Sequence, residues 1–241
     1  DDIELSSAEV NTRDFTNVAI SGSDSVTING ALLQIGNQLL CKNDFNGDTC
    51  EAPPTSGTST QNNDHTQYYA KIDTSGGAPS NNSMAKLVME NGDEVIMARL
   101  YWSARIENIT STEKTNAKNI QIKGPNASTY TTYISPNSKY NWSESGSSFD
   151  YAASQDVTEY IAAQGAGEYY VGGITTESGE KGIYASWQLI VVVENSHRSL
   201  KNLAIYDGFQ SVYKSSSIVD ASGFITPTGT DPFNANLFIY M

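Results

Sequence analysis

Two stretches of the chain alternate apolar and polar residues with a period of two. The first, EVIMARLYWSARI, places Arg99, Ser103 and Arg105 on its polar side. The apolar side carries Ile96, Ala98, Leu100, Trp102, Ala104 and Ile106. This period is typical of a strand with one buried face, so the sequence predicts a long strand here.

The second stretch, GIYASWQLIVVVE, has the same pattern. Its apolar side carries Ile183, Ala185, Trp187, Leu189, Val191 and Val193. Ile190 and Val192 add apolar surface to the opposite side, which predicts that both faces of this strand are partly covered. We expect the two stretches to be central strands of the core, in facing or adjacent sheets.

Shorter segments with strand character occur along the rest of the chain, separated by polar loops such as PTSGTSTQNND, TSGGAPSNNS and SPNSKYNWSESGSS. These segments are SVTI, ALLQIG, QYYAKID, KLVM, NIQIKG, TYTTYI, EYYVGGI, LAIYDGF and ANLFIYM. Strand patterns resume on both sides of each loop, so the loops do not divide the chain into domains. We expect one jelly-roll-like β-sandwich of mostly antiparallel strands over residues 1–241, in which residues 1–35 could form a peripheral strand or arm.

One stretch, SQDVTEYIAAQGAG, reads as a short helix. Asp156 can cap its first turn with Glu159 as capping partner, and Gly165 supplies a left-handed stop. The sequence therefore predicts an all-β fold with one helix of about two turns.

Charge and hydropathy exclude several classes of partner. The 241 residues include 14 basic and 27 acidic side chains, a net charge of −13, with no clustered basic stretch. Such a charge repels phosphate backbones and anionic membranes. No apolar run approaches the roughly 18 residues of a membrane helix. We expect neither nucleic-acid binding nor membrane insertion, and any signal peptide before DDIELSSAEV was either removed or never present.

Catalytic signals are weak. The chain has no Gly-x-Ser-x-Gly motif and only two histidines, His65 and His197. His197 lies beside Ser196 and Ser199, which leaves a Ser-His-Asp triad open, although the favoured interpretation is a solvated loop histidine at a strand end. Glu194 and Asp207 are candidate acids for a glycosidase-type pair, although Asp207-Gly208 is also a turn signature. We expect no enzymatic activity.

The only two cysteines, Cys41 and Cys50, enclose an Asp-x-Asn-Gly-Asp run. Asp44, Asn46 and Asp48 alternate as the first ligands of a calcium loop do. The match is partial, because glycine precedes the third ligand and Thr55 stands where a bidentate glutamate is needed. An Asn-Gly turn closed by a Cys41–Cys50 disulfide accounts for the same residues without metal. We expect the disulfide, with calcium as an open alternative and no other cofactor.

Several segments together resemble a known family. In chain order they are GNQLLC, NNDHTQYY, VIMARLYWSA, DVTEYI, GAGEYYVGGI, GIYASWQLIVVVEN, LKNLAIYDGF and SGFITPTG. Their order is similar to a module near the N-termini of large secreted bacterial surface proteins that carry Ig-like repeats. The resemblance implies a secreted or cell-surface location, which favours the disulfide over free thiols. It carries no catalytic motif, and the Asp-x-Asn-Gly-Asp run departs from it.

These observations predict a non-catalytic surface module with an adhesive or structural role. One alternative is a carbohydrate-binding, lectin-like domain in which Tyr140 and Trp142 of YNWSES stack on sugar rings. The other is a fibre subunit that assembles by strand addition, for which ANLFIYM at residues 235–241, apolar on both strand faces, is a candidate strand. The expected partners are a surface glycan, a protein receptor or neighbouring copies of the chain.

Overall fold

The computed structural model describes residues 13–42, 66–107, 111–136, 139–142 and 148–209. The strands, in chain order, are β1 (Arg13–Val18), β2 (Val26–Gln38), β3 (Leu40–Lys42), β4 (Gln67–Tyr69), β5 (Asn82–Leu87), β6 (Glu94–Glu107), β7 (Asn119–Lys123), β8 (Thr131–Ile134), β9 (Lys139–Trp142), β10 (Ser148–Asp156), β11 (Gly167–Gly172), β12 (Ala185–Glu194), β13 (Leu200–Leu203) and β14 (Ile205–Phe209). The helices are α1 (Ser111–Asn116) and α2 (Thr158–Gln164).

Ten of the fourteen described strands form the two sheets of a jelly roll, and the pairs β1-β14 and β3-β4 form separate two-stranded sheets. A six-stranded sheet has the order β13-β2-β12-β6-β10-β9, and a four-stranded sheet has the order β5-β11-β7-β8. Eight of these strands, β2, β5, β6, β7, β8, β10, β11 and β12, pair first with last, second with seventh, third with sixth and fourth with fifth. That is the connectivity of two interlocked Greek keys, and all strand pairs within the two sheets are antiparallel. The predicted fold class is confirmed.

The main core lies between the sheets. The alternation predicted for β12 is confirmed, because all six residues of its apolar side, together with Leu100 and Trp102 of β6, belong to one buried cluster. The two strands are neighbours in one sheet, and so they do not lie in facing or adjacent sheets as expected.

A β-bulge corrects one predicted face of β6. The register between β12 and β6 shifts at Val192/Val193, so that Val95 packs against the main core. Ile96 instead packs against a second cluster that includes Met97 and Val192. One extra residue in a strand changes which face its side chains reach, which alternation alone does not reveal.

The second cluster covers the outer face of the six-stranded sheet. It contains Ile20, Met97, Val192 and Ile205, with Val18 packed against them. Ile205 and Val18 belong to the antiparallel pair formed by β14 and β1, so this two-stranded ribbon lies against the sheet. The second apolar face predicted for β12 is thereby explained.

Val26–Gln38 forms one strand where the sequence predicted two, SVTI and ALLQIG. Gly30 lies between them, and a Cβ atom there would come 2.2 Å from the carbonyl oxygen of Val193. Only glycine permits β2 to pass this close to β12. Residues 26–35, within the segment that could have been a peripheral arm, thus lie in the six-stranded sheet.

The helix at SQDVTEYIAAQGAG is confirmed, with a different start. Val157 occupies the N-cap position without a side-chain cap, and Asp156 accepts a hydrogen bond from the backbone N–H of Thr158 at 2.9 Å. Gly165 ends the helix with φ at 70°. A second helix, α1, was not predicted, because Ser111–Asn116 is short and polar.

Candidate functional site

The turn after β12 fixes the histidine that was a candidate for catalysis. Nδ1 of His197 lies 3.2 Å from Oδ1 of Asn195, and the backbone N–H of His197 donates to the same oxygen at 3.0 Å. The group at Nδ1 of the imidazole is therefore an amide oxygen, and neither a serine hydroxyl nor a carboxylate. His65 lies outside the described residues.

The two candidate acids lie in separate surroundings. Asp207 is 9% exposed, and its Oδ2 lies 3.6 Å from Nη2 of Arg99 and accepts from Ser154 at 3.4 Å. Glu194 is exposed and pairs with Glu94 at the end of the sheet. Arg99 pairs with Ile190, four residues before Glu194, which is about 13 Å of strand. The structure does not join these acids into a glycosidase-type pair.

The predicted Asp207-Gly208 turn is wrong, because both residues lie inside β14. A Cβ atom at Gly208 would come 2.6 Å from the ring of Phe15 on β1. The glycine is therefore explained by close packing between the two strands of the ribbon.

The cysteine loop is described only at its first end. Cys41 lies in β3, is 2% exposed, and there is no free cysteine in the described part of the chain. The remaining residues of the predicted disulfide and calcium loop are Asp44, Asn46, Asp48 and Cys50, and they lie outside the described residues. Within the described ranges no group of three or more His, Cys, Asp or Glu side chains could hold a metal ion. The disulfide and the calcium alternative stay predictions.

The proposed sugar-stacking residues lie in β9. That strand corrects the prediction of a loop at SPNSKYNWSESGSS. Tyr140 pairs with Tyr151, and Trp142 pairs with Phe149, but the two side chains of β9 lie outside the described residues. The lectin-like alternative stays a prediction.

Two partly buried charge clusters are present that the sequence did not predict. In the first, on the outer face of the four-stranded sheet, the ammonium of Lys123 contacts the carboxylate of Asp73 and lies 5.1 Å and 4.7 Å from the ring centroids of Tyr130 and Tyr170. Burial raises the pKa of Asp73, but hydrogen bonds from Lys123, Ser75 and Tyr130 outweigh it and hold that pKa well below its usual range. The ion pair joins the loop at Asp73 to β7, so we call this cluster the clamp of Lys123.

The second cluster joins two turns. Arg198 donates to both carboxylate oxygens of Asp93, at 2.7 and 2.6 Å, and its Nη1 lies 3.0 Å from Glu90. Asn195 also donates to Asp93 at 2.9 Å. Hydrogen bonds from Arg198 lower the pKa of Asp93 to about 2 in spite of its burial. This bidentate pair ties the turn before β6 to the turn after β12.

Along part of the outer edge of β2, backbone N–H and C=O groups have no partner strand in the described part of the chain. β13 covers this edge from Val26 to Asn29, and just beyond it the N–H of Gly30 donates to the carbonyl of Ser199 at 3.4 Å. Leu39 donates its N–H to Ala185, and Asn29 accepts from Asn195, both at 2.8 Å, so the odd-numbered peptide groups of β2 face β12. Because these directions alternate along an antiparallel strand, the even-numbered groups face away from the sheet.

Three residues therefore present N–H and C=O groups at an uncovered edge: Leu32, Gln34 and Gly36. In the described part of the chain no strand pairs with them on this side. At its C-terminal end, after Gly36, the edge is closed, because the side chain of Asn37 accepts from the N–H of Gln38 at 2.9 Å and donates to the carbonyl of Met84 at 2.9 Å. We call Leu32–Gly36 the open edge.

A groove runs beside the open edge, between β2 and β5. Leu33, Ile35, Leu87 and Val88 line it, and Leu33 and Ile35 also pack against the main core. Val88 is 68% exposed, so its side chain is accessible from the groove. The groove could receive apolar side chains from a strand added at the open edge.

Other sheet edges in the described ranges have protection that the open edge lacks. β8, β9 and β13 have four residues each, and β13 and β5 carry the lysines Lys201 and Lys86. Short length and lysine are common defences against edge-to-edge association. Residues 31–38 contain neither charge nor proline. The sequence predicted a strand here, but not that its partner would end at Asn29.

No family model matches the chain, and neither the curated proteins nor the solved structures contain a match. No helix in the described ranges is long and apolar enough to cross a membrane.

Proposed function

We propose that this chain is a non-catalytic, extracellular cell-surface module with an adhesive or structural role, and that it joins its partner by strand addition at the open edge. The observation that carries the proposal is the row of outward-facing peptide groups at Leu32, Gln34 and Gly36 beside an apolar groove. The resemblance to bacterial surface modules supports the extracellular location.

The physical basis of strand addition is the combination of backbone and side-chain contacts. Three N–H and three C=O groups of the open edge can bond to an extended partner, which supplies affinity. Alternate side chains of that partner would enter the groove against Leu33, Ile35 and Val88. The remaining side chains would lie beside the exposed Gln34, so they need not be apolar.

Enzymatic alternatives have less support. The imidazole of His197 is oriented by Asn195, and the acids Glu194 and Asp207 occupy separate surroundings. In the two charge clusters, the charged groups pair with one another: Lys123 with Asp73, and Arg198 with Asp93 and Glu90. These contacts favour a scaffold over a reaction centre.

Peptide display tests the proposal for the open edge. A library of nine-residue peptides is selected on the wild-type protein and on Gln34→Pro, which removes one outward-facing N–H without removing a bond to β12. We expect extended peptides with apolar residues at alternate positions to bind the wild type and to lose binding to the variant. Hydrogen exchange should slow at Leu32, Gln34 and Gly36 in the bound protein.

A matched control is Thr132→Pro. Ser135 donates to Lys118 at 2.8 Å, so by the same alternation the N–H of Thr132 faces away from β7 on another sheet edge. This variant should bind the selected peptides as the wild type does. Peptides that bind Gln34→Pro equally well, or that leave exchange at the open edge unchanged, would refute strand addition there.

The extracellular location has its own test. Intact cells that produce the protein are treated with a membrane-impermeant biotin reagent, and the chain is then isolated. We expect biotinylation at lysines such as the exposed Lys86 without lysis. Labelling only after lysis would contradict a surface role.

A further inference from the structure

Resting on the proposed function, we infer that Gln188 selects which strand is added at the open edge. The partner is a protein segment with a lysine or arginine opposite Gly36, and this cationic side chain passes over the glycine and donates to the side-chain oxygen of Gln188. Gln188 thereby acts as a specificity-determining residue behind the edge of the sheet.

The side chain of Gln188 has unused bonding capacity in the free protein. This residue of β12 is 3% exposed, and its Oε1 is shielded from solvent without a hydrogen-bond partner among the described residues. A buried acceptor that makes no bond destabilises the folded state, because the oxygen has lost its contact with water. A donor that arrives with a partner would remove this cost, so the amide rewards one kind of partner over others.

Gly36 leaves an opening between the open edge and this amide. It lies directly opposite Gln188 in the β2–β12 pair, so both residues are on the outer face of the six-stranded sheet. Gly36 is exposed, has no side chain, and lines the groove together with Gln188. On the same face of β2, Leu32 and Gln34 carry side chains that fill the corresponding space. An added strand can therefore reach across β2 at position 36.

The spacing of the strands sets the length of side chain that is needed. Gly36 and Gln188 form a pair without hydrogen bonds between them, in which Cα atoms are about 4.5 Å apart. With an added strand Gly36 would form a hydrogen-bonded pair, in which Cα atoms are about 5.5 Å apart. The residue opposite Gly36 thus lies about 10 Å from Gln188 across the sheet. Only a long donor side chain can meet the glutamine over this distance.

Charge favours a cation over a neutral donor at this position. The chain carries −13, which attracts basic segments. Two arginines share the outer face with Gln188, but each is paired with a carboxylate, Arg99 with Asp207 at 3.6 Å and Arg105 with Asp150 at 3.9 Å. A hydrogen bond from a charged donor is also stronger than one from a neutral donor. Lysine and arginine combine the required length with this charge.

The ends of the open edge set the order of residues in the partner. Leu32–Gly36 is bounded by the bond from Gly30 to Ser199 and by the side chain of Asn37, so an added strand has five positions to pair with. All strand pairs in the two sheets are antiparallel, and in that direction the residue opposite Gly36 comes first. The second and fourth residues then face the apolar groove. The expected motif is a basic residue, an apolar residue, any residue and an apolar residue.

Selection of the peptide library on Gln188→Met tests the inference. Methionine is of similar length but has no amide, and the fold should tolerate it because the amide that it replaces makes no bond. We expect lysine or arginine at the first position of peptides selected on the wild type, and no such preference on the variant, with the apolar positions unchanged. In one selected peptide, methionine in place of the basic residue should weaken calorimetric binding to the wild type about tenfold, and to Gln188→Met much less.

The matched control is Gln34→Met, which removes an exposed amide from the same edge and leaves the peptide groups in place. This variant should select the same basic residue as the wild type. The melting temperature of Gln188→Met should equal or exceed that of the wild type. A clear fall would show that the amide is already bonded in the free protein, which would overturn the inference.

The outcomes separate this inference from the proposed function. If peptides selected on Gln188→Met keep the basic residue, the cation responds to the net charge of −13 and the role of Gln188 is refuted. Wild-type peptides without a basic residue at that position refute it as well. In both cases strand addition stands as long as Gln34→Pro abolishes binding. Peptides that bind Gln34→Pro as they bind the wild type would remove strand addition and the inference together.

Discussion

Trp102 and Trp187 lie directly opposite each other across the β6–β12 pair, and both indoles are buried, at 0% and 1% exposure. Their N–H groups reach different parts of the molecule. Trp102 donates to the carbonyl of Ala117 at 3.0 Å, and Trp187 donates to the hydroxyl of Ser83 on the four-stranded sheet at 2.8 Å. The pair therefore links the centre of one sheet to the opposite sheet and to the segment after α1.

Replacing either tryptophan by alanine should destabilise the protein by about 3 to 5 kcal/mol, because each leaves a large cavity and an unused hydrogen-bond acceptor. Chemical denaturation measures the loss. Variants that retain only Trp102 or only Trp187 should show blue-shifted native fluorescence. Val88→Ala, at a side chain 68% exposed, is the control and should change stability by less than about 0.5 kcal/mol. Water-like emission from either variant would contradict the packing.

Gly36→Ala should disrupt the scaffold beneath the open edge. A Cβ atom at this position would meet the carbonyl oxygen of Trp187 at 2.4 Å, so β2 would have to move away from β12. We expect a loss of about 1 to 3 kcal/mol, as for other overpacked sites. Thermal unfolding measures it against Gly76→Ala, where an added Cβ meets nothing within 4 Å and should be nearly neutral. Equal melting temperatures for the two variants would refute this close approach.

The Asp93–Arg198 pair predicts a component of acid sensitivity. Hydrogen bonds from Arg198 lower the pKa of Asp93 from 3.8 to about 2. As the pH falls, Asp93 is therefore protonated at a lower pH in the folded protein than in the unfolded chain. The stabilisation is complete above about pH 4 and is lost as the pH falls toward 2. Asp93→Asn should lower stability at pH 7 and reduce the slope of unfolding free energy between pH 4 and 2.

The control for this pH experiment is Asp24→Asn at an exposed aspartate, which should preserve both stability and slope. Some slope will remain in Asp93→Asn, because the pKa of Asp73 is also lowered. Parallel curves for wild type and Asp93→Asn would show that Arg198 does not stabilise the charged carboxylate.

How far the sequence predicts this fold depends on where packing decides the structure. The faces of β12 follow from alternation because both of its neighbours are long strands that bury one side uniformly. β10 was not predicted, although Phe149, Tyr151 and Ala153 alternate along it and all three lie in the main core. The strand follows directly on a polar stretch that was interpreted as a loop. The bulge beside Val192 depends on a partner strand, which no local pattern specifies.

The candidate site was less predictable for the same reason. ALLQIG was recognisable as a strand, but the open edge exists because β13 stops at Asn29 and Asn37 closes the lower end. Both are long-range relationships. The clamp of Lys123 joins Asp73 to two tyrosines 7 and 47 residues away from the lysine in sequence, and no motif spans such separations.

The cysteine loop supplies the last prediction, which is that Cys41 and Cys50 form a disulfide. Cys41 is 2% exposed in β3, so the bridge would fix the loop to a strand that pairs with β4. Closing a ring of this size should stabilise by about 2 to 3 kcal/mol on the chain-entropy model. Thiol titration of the denatured, unreduced protein should find no free thiol, and Cys41→Ser with Cys50→Ser should lower the unfolding free energy by that amount. Two free thiols in protein isolated without reductant would contradict the bridge, and reduction should lower wild-type stability without affecting the double variant.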